Sequence, residues 1–207
     1  MLSVLSSAAI ASAAGDRARI VCGLDPVWPG ATALGPAVTA RAHRGDNLAV
    51  HLAVARAAAG SVVVVDAGGE QDVAFAGDLV VRAAARRGVA GIVIDGAIRD
   101  RTQIAGMRFP VFHSGTSPRG PTKRFPGEVD VPIGLRGVLV SPGDLVCVDD
   151  DGLVVVNAAD TAAVLEQARA LEAQEAAFRA RVETGESTLS IFEITPPSEA
   201  RSPSRSR

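Results

Sequence analysis

The sequence predicts an α/β fold with a parallel βαβ core, a β-rich second half and a long C-terminal helix. Three observations carry this. Ser61–Asp66 (SVVVVD) and Gly91–Asp95 (GIVID) are continuous aliphatic runs of strand length, the pattern of strands buried on both faces. The segment between them, Asp78–Arg87, reads as a helix closed by Gly88 in the C′ position. From Val111 onward short apolar runs alternate with Pro/Gly turns, until Asp160–Glu183 runs without Gly or Pro.

Met1–Gly15 (MLSVLSSAAIASAAG) is small and apolar and is predicted as an N-terminal helix. It ends in an A-x-A-like stretch but lacks the Lys or Arg that a secretory leader carries ahead of its apolar part. Ile20–Leu24 and Ala37–Ala40 read as short strands separated by a Pro/Gly loop containing Trp28. Leu48–Ala58 reads as a helix, with Asp46 or Asn47 available to cap it. A Gly-rich loop is expected at Ala67–Gly77, and a shorter helix near Arg101–Ala105. In LVCVDDDGLVVV, Asp151–Gly152 supplies the pair that a tight hairpin turn prefers. Asp160 is placed to cap the last helix, whose stripe of Val164, Leu165, Ala168, Leu171 and Phe178 runs toward a stop at Gly185. Pro196–Arg207 offers almost nothing to bury and is predicted to be disordered. Residues 1–186 thus form one domain and 187–207 a variable tail.

Composition narrows function. Of 207 residues, 47% are hydrophobic but only 3% aromatic, so the core is built from small aliphatic side chains and base-stacking platforms are not expected. A net charge of −2 gives no global field favouring nucleic acid or an anionic membrane, and no apolar run reaches the length of a membrane span. Cys22 and Cys147 both sit in apolar runs and are expected as buried, reduced thiols, which fits a cytoplasmic setting. His43, His51 and His113 share no metal-ligand spacing and are expected in structural or surface roles. Ser114, Thr116 and Ser117 have no acid–base partner nearby in sequence. Lys123 lies in a polar, turn-rich loop, a poor place to lower an amine pKa.

Ligand sites in parallel sheets gather at the carboxyl ends of the strands, which singles out the segments after Asp66 and Asp95. The first leads to Gly77-Asp78-Leu79-Val80 at a helix start, where free N–H groups and the helix dipole suit a small anion, unless Asp78 merely caps its own helix. The second leads to Arg99-Asp100, a planar fork for a carboxylate beside an acceptor for a hard divalent cation, unless the two form only a solvated ion pair. Together they describe a pocket for a 2-oxo acid.

Asp78, twenty intervening residues and then Arg99-Asp100 make a D-x20-R-D signature. With its flanking blocks (LDPVWPGATALGPAVTA, GDNLAVHLAV, AGDLVVRAAARRGVAGIVIDGAIRD, GTSPRGPTKRFPGEVDVPI, PGDLVCVDDDGLVVV), the chain resembles the class II pyruvate aldolases of the 4-hydroxy-4-methyl-2-oxoglutarate type, within the larger RraA-like family, over about residues 1 to 186. The resemblance implies a layered β/β/α swivelling-domain-like sandwich. It implies retro-aldol cleavage of a 4-hydroxy-2-oxo diacid to pyruvate and a second oxo acid, with oxaloacetate decarboxylation as a side activity. It further implies Mg²⁺ or Mn²⁺ on Asp100, charge stabilisation by Arg99, a substrate carboxylate on the Gly77–Val80 turn through the Leu79 and Val80 amides, and Asp78 ordering a water that takes the C4 hydroxyl proton. By the same resemblance Glu175 completes a neighbouring subunit's site in a trimer or dimer of trimers. A rival from the same family is a regulator of ribonuclease E that acts by binding; that branch commonly lacks the acid after the Arg, so Asp100 favours the lyase. A methyltransferase lacks support, since DAGGEQDVAFAGD contains no G-x-G-x-x-G. The tail STLSIFEITPPSEARSPSRSR departs from the aromatic-rich ending common in the family.

Overall fold

The computed structural model describes residues 5–194, so the expected disorder at 196–207 lies outside the described residues. The chain falls into two units, Met1–Arg169 and Ala170–Arg207.

The first unit opens with α1 (Ser7–Ala14), capped by the Ser6 hydroxyl, which accepts the Ala9 N–H at 3.1 Å. Strands β1 (Arg19–Val21), β2 (Asp25–Pro26) and β3 (Ala33–Arg41) follow, then α2 (Leu48–Arg56), β4 (Val62–Ala76), α3 (Asp78–Arg86), β5 (Gly91–Ile98), α4 (Arg101–Met107) and β6 (Val111–Thr116). The β-rich part contains β7 (Glu128–Val129), β8 (Ile133–Leu135), β9 (Val138–Val140), β10 (Leu145–Asp149) and β11 (Gly152–Val156). Helix α5 (Thr161–Glu183) starts in this unit and crosses into the second.

One sheet, in the order β1-β11-β10-β3-β4-β5-β6-β2 with β7 also on β3, joins the two halves, and β8 and β9 form a separate hairpin. Strands β3 to β6 pair parallel, each linked to the next by a helix, as the alternating pattern predicts. Strand β3 belongs to both regimes: Ala33–Pro36 pair antiparallel with β10, and Ala37–Arg41 pair parallel with β4. Alternation along the central strands divides the core. Val63, Val65, Ile92 and Ile94 pack with Val50, Ala53, Val81 and Ile104 of the helices, whereas Val62, Val64, Val93 and Phe112 pack with Ile133, Leu135, Val140 and Leu153 of the β-rich part. Among the described residues no helix is long and apolar enough to cross a membrane.

Four expectations are corrected. The Gly-rich stretch Ala67–Gly77 is not a loop: β4 continues to Ala76, because bulges absorb Gly68 and Gly69 at φ +64° and +71° and bring the apolar run Val73–Ala76 back into the core. Likewise β5 runs on through Ile98, fully buried along its length, so only Arg99 and Asp100 are left to turn. The hairpin turn is Asp150–Asp151, since Asp149 pairs with Gly152, the first residue of β11. Cys22 is exposed at the end of β1, whereas Cys147 is buried in β10, where loss of water and then the Asp149 carboxylate push its thiol up to about 12.

In the second unit the positive φ of Gly185 (+91°) ends α5, and α6 (Thr188–Ile191) is capped by Ser187. Phe178 and Phe192 meet edge to face at 5.5 Å, and Arg181 binds both Glu186 carboxylate oxygens, at 2.7 and 2.5 Å.

Candidate active site

Helix α3 begins where a glycine is needed. Gly77 is extended (φ −140°), and a Cβ there would sit 2.5 Å from Asp100 Oδ2 and 3.1 Å from Arg99 Cγ and Nε. Its bare backbone therefore lets the Asp100 carboxylate rest on the helix start, where Oδ2 accepts the Asp78 N–H at 3.2 Å. Asp78 does not cap its own helix; its carboxylate pairs with Arg82 Nε one turn on, at 3.2 Å. The first bond within the helix runs from Val81 N–H to Gly77 O at 3.2 Å, so the Leu79 and Val80 amides precede it and face outward from the helix end.

Arg99 and Asp100 are delivered by the end of β5. The Arg99 N–H donates to Ala76 O at 2.9 Å, which ties this turn to the end of β4. Asp100 then takes the left-handed conformation, φ +58°, which aspartate tolerates better than most residues, and its carbonyl accepts the first N–H of α4, from Ile104 at 3.0 Å. That reversal turns the Asp100 side chain back over Gly77. Arg99 Nε lies 3.5 Å from Asp100 Oδ2, with 44% and 33% of the two side chains exposed. A Cβ on Gly120 would meet the Arg99 guanidinium at 3.0 Å, so the 117–121 segment passes directly over it.

These residues share one cleft of about 80 Å³, lined by Ala76, Gly77, Asp78, Leu79, Val80, Arg99 and Asp100. Arg99 and Asp100 also border a larger depression of about 440 Å³ with Arg101, Thr116 and Ser117. Another cavity, about 500 Å³ beside Arg41, Asp66 and Glu70, contains none of the signature residues, and its cations are already near carboxylates: Arg41 beside Glu128 and Asp66, Arg44 at 3.8 Å from Glu70. Among the described residues no group of three or more His, Cys, Asp or Glu could enclose a metal.

Three further polar residues line the 80 Å³ cleft and were assigned no ligand role by sequence: Asn47, His51 and Lys123. Their placement depends on Asp46, which is fully buried. It accepts from the Leu48 N–H (2.9 Å) through Oδ1, and from the Thr122 hydroxyl (2.6 Å), the Arg124 N–H (2.6 Å) and the Phe125 N–H (3.3 Å) through Oδ2. Burial alone would push this carboxyl up, but the four donors bring it down to about 2. The loop carrying Lys123 is thereby fastened to the start of α2, a long-range contact that no local spacing announces.

The other sequence candidates lie elsewhere. His113 is buried in β6, where loss of water and then the charge of Arg101 lower its pKa, so it is a neutral core residue. His43 stacks on Phe125 at 4.5 Å. The Ser117 hydroxyl donates to Asp72 O at 2.8 Å and Ser114 Oγ has no partner among the described residues, so neither forms a nucleophile–base pair there. Glu175 lies on the second-unit part of α5, half exposed, with Arg179 NH1 3.2 Å from its Oε2.

Residues 7–155 match the family model described as RraA-like, Aldolase/RraA. The chain belongs to the RraA-like family. Its D-x20-R-D residues all lie inside the matched stretch, whereas Glu175 lies beyond it. A Halalkalibacterium halodurans protein named "Putative 4-hydroxy-4-methyl-2-oxoglutarate aldolase" is 41% identical over 144 residues, 70% of this chain and 69% of that protein. The crystal structure of Streptomyces coelicolor RraAS2, described as an unusual member of the RNase ES inhibitor RraA family, is 34% identical with a TM-score of 0.73, covering 86% of this chain and 93% of its own. A Geobacillus kaustophilus structure described as an S-adenosylmethionine:2-dimethylmenaquinone methyltransferase is 33% identical with a TM-score of 0.70, covering 73% and 94%. The mixed α/β fold expected of an RraA-like chain is the fold observed.

Proposed function

We propose that this RraA-like protein is a divalent-metal-dependent carbon–carbon lyase of the class II aldolase type, cleaving 4-hydroxy-2-oxo diacids to pyruvate and a second oxo acid. The observation that carries the reading is the convergence of a carboxylate, a guanidinium and two helix-start amides on one cleft, held together by the missing side chain of Gly77. The 41% identical relative bears an aldolase name, which supports the lyase class.

Asp100 fits a hydrated hard cation. One part-exposed carboxylate with no enclosing ligand cluster suits Mg²⁺ or Mn²⁺, which retain most of their water when bound by one or two carboxylates. When bound, the ion would supply Lewis acidity to the substrate's 2-oxo oxygen. The protein's own groups do the rest. Amides of Leu79 and Val80 hold the C1 carboxylate against the positive end of α3. Arg99 stabilises the negative charge that grows on the 2-oxo oxygen as the C3–C4 bond breaks. Asp78, whose Oδ2 is engaged by Arg82, orders the water that accepts the C4 hydroxyl proton, so that C4 becomes the carbonyl of the second product. Protonation at C3 completes pyruvate. Oxaloacetate would lose CO₂ by the same charge placement, with no base needed at C4. A homo-oligomer, trimer or dimer of trimers, in which Glu175 of one copy serves a neighbour's site belongs to the same proposal.

The similarity to Streptomyces RraAS2 favours a second reading, inhibition of a ribonuclease E-type enzyme by association. That role has no use for Asp100. The methyltransferase name of the Geobacillus structure finds no counterpart in residues 66–78, where a bulged strand runs through Ala76 directly into the start of α3 and forms no nucleotide loop.

The test is pyruvate release from 4-hydroxy-4-methyl-2-oxoglutarate and from oxaloacetate with Mg²⁺ or Mn²⁺. Turnover that EDTA abolishes and added metal restores is expected. Metal-loaded protein that turns over neither substrate, yet slows RNA cleavage by a ribonuclease E, would replace the first reading with the second.

A further inference from the structure

The chain-wide charge of −2 conceals a local one. Helices α2, α3 and α4 with the residues that close them (48–60, 78–90 and 101–110) carry six arginines, Arg56, Arg82, Arg86, Arg87, Arg101 and Arg108, against the single carboxylate of Asp78. All six are exposed. Among the described residues only Arg56 and Arg82 are ion-paired, with Asp130 at 3.5 Å and Asp78 at 3.2 Å. Asp100, the N-cap of α4, lies at the opposite, cleft end of the layer.

The C-terminal ends of the three helices are joined along one edge. Arg87 Nη2 donates to Ala57 O at 3.2 Å and the Gly60 N–H to Gly88 O at 2.7 Å, which fastens the end of α3 to the end of α2. The Ile92 N–H donates to Pro110 O at 3.0 Å and so brings the end of α4 alongside. A cation at a helix C-terminus is favoured by the helix dipole, but Arg86 and Arg87 are two at one end, and Arg101 stands in the first turn of α4, where the dipole disfavours it. Helix stability therefore does not account for the set.

The chemistry of the face selects its partner. Apart from Leu79 at the cleft end of α3, none of the exposed large apolar side chains among the described residues lies in these segments, so the face lacks the anchors of a protein interface and the apolar stripe of a membrane-surface helix. Trp28 has Arg108 over its ring, 4.2 Å from the centroid, which takes the stacking face a single strand would use. A duplex needs neither: it carries a phosphate charge about every 1.7 Å outside its bases, and the arginine fork suits phosphate oxygens.

We propose that the outer face of α2, α3 and α4 docks the phosphate backbone of a double-stranded nucleic acid without reading its sequence. This surface uses no residue of the D-x20-R-D signature and stands apart from the lyase reading.

The test is fluorescence anisotropy of the full chain with a labelled DNA duplex of about 20 base pairs and no substrate. Binding at about 10 μM or tighter in about 50 mM salt is expected, with log K falling against log salt at a slope of about −4, the release from four to five phosphate contacts. Arg86→Gln alone should reduce that slope by about 1 and Arg86→Gln with Arg108→Gln by about 2, with at least about tenfold weaker binding, whereas Lys at both positions should keep the slope. Gln at Arg201, Arg205 and Arg207 together should change affinity less than about twofold, and the single strand should bind about tenfold more weakly than the duplex. No duplex binding in low salt, a slope indifferent to Arg86 and Arg108, or binding lost with the three tail arginines would overturn the proposal. Poly-glutamate or phosphatidylserine vesicles displacing the duplex at equal charge concentration would overturn it too, and assign the face to an acidic protein or a membrane.

Discussion

Two aspartate–arginine pairs sit five residues apart along one strand and its turn, and they are built oppositely. Asp95 projects from β5 toward the β-rich side, where its side chain is 8% exposed and Arg136, from the β8–β9 turn, closes on it at 3.1 Å. Asp100 projects from the end of the same strand over α3, four times as exposed, with its arginine at 3.5 Å and an amide at 3.2 Å. The first carboxylate is sealed by a cation from another element. The second shares its oxygen loosely with a neighbouring cation and a helix start, which leaves it free to exchange those partners for a ligand. Identical residue types are thus sealed in one place and left open in the other by what covers them.

The sharpest way to break this comparison is the same isosteric change at both positions. Asp100→Asn keeps the left-handed turn and an acceptor for the Asp78 amide but removes the charge; a fall of about 10³-fold in metal-dependent pyruvate release is expected, with a melting temperature within about 2 °C of wild type. Asp95→Asn is expected to do the reverse, costing about 2 kcal/mol in urea unfolding, the usual penalty for breaking a buried pair being reduced because Arg136 is part exposed, with kcat/KM within about threefold. Matching phenotypes in the two variants would dissolve the distinction.

Asp46 extends the comparison to a carboxylate satisfied by hydrogen bonds alone. Its folded-state pKa of about 2 lies below the ordinary 3.8, so its stabilisation is complete above about pH 4 and is lost as the pH falls through 2. Wild type should lose about 2 kcal/mol over that interval, whereas Asp46→Asn, weaker at pH 6, should lose much less; parallel pH profiles would refute the assignment.

Gly77→Ala probes closeness without charge. The extended backbone accepts alanine, but the added Cβ displaces the Asp100 carboxylate, and a loss of about tenfold in kcat/KM with weakened Mn²⁺ affinity is expected at nearly unchanged stability. The smallest effect is expected from Arg82→Ala. This exposed partner of Asp78 should cost less than about 0.5 kcal/mol and change activity less than about threefold. A hundredfold loss would show that the pair positions Asp78.

Much of the fold was legible because it follows local rules: the all-apolar runs of β4 and β5, the helix between them and the glycine after it. The signature residues were legible for the same reason, since each stands at the end of a regular element. What the sequence concealed depends on long-range closure. Gly68 and Gly69 look like breakers, yet bulges carry β4 past them because pairing with β5 and burial of Phe75 outweigh local preference. Asn47, His51 and Lys123 join one cleft only because Asp46 grips a loop some 76 residues away in sequence. Asp78 looked able to cap its own helix, but an acceptor from another turn holds that place.

The shared strand β3 has a consequence for how the protein is made. Its parallel partner β4 follows closely in the chain, but its antiparallel partner β10 and the β1–β11 pairing join residues 19–36 to residues 145–156. A nascent chain leaving the ribosome can therefore assemble the parallel segment bearing Gly77, Arg99 and Asp100 well before the opposite side of the sheet has its strands. Until residues 145–148 emerge, the first half of β3 presents an unpaired edge, so premature termination between about residues 120 and 145 should yield a chain whose turns at Gly77 and Arg99–Asp100 are formed and whose sheet is sticky. Chaperone dependence during synthesis should fall away as β10 and β11 emerge.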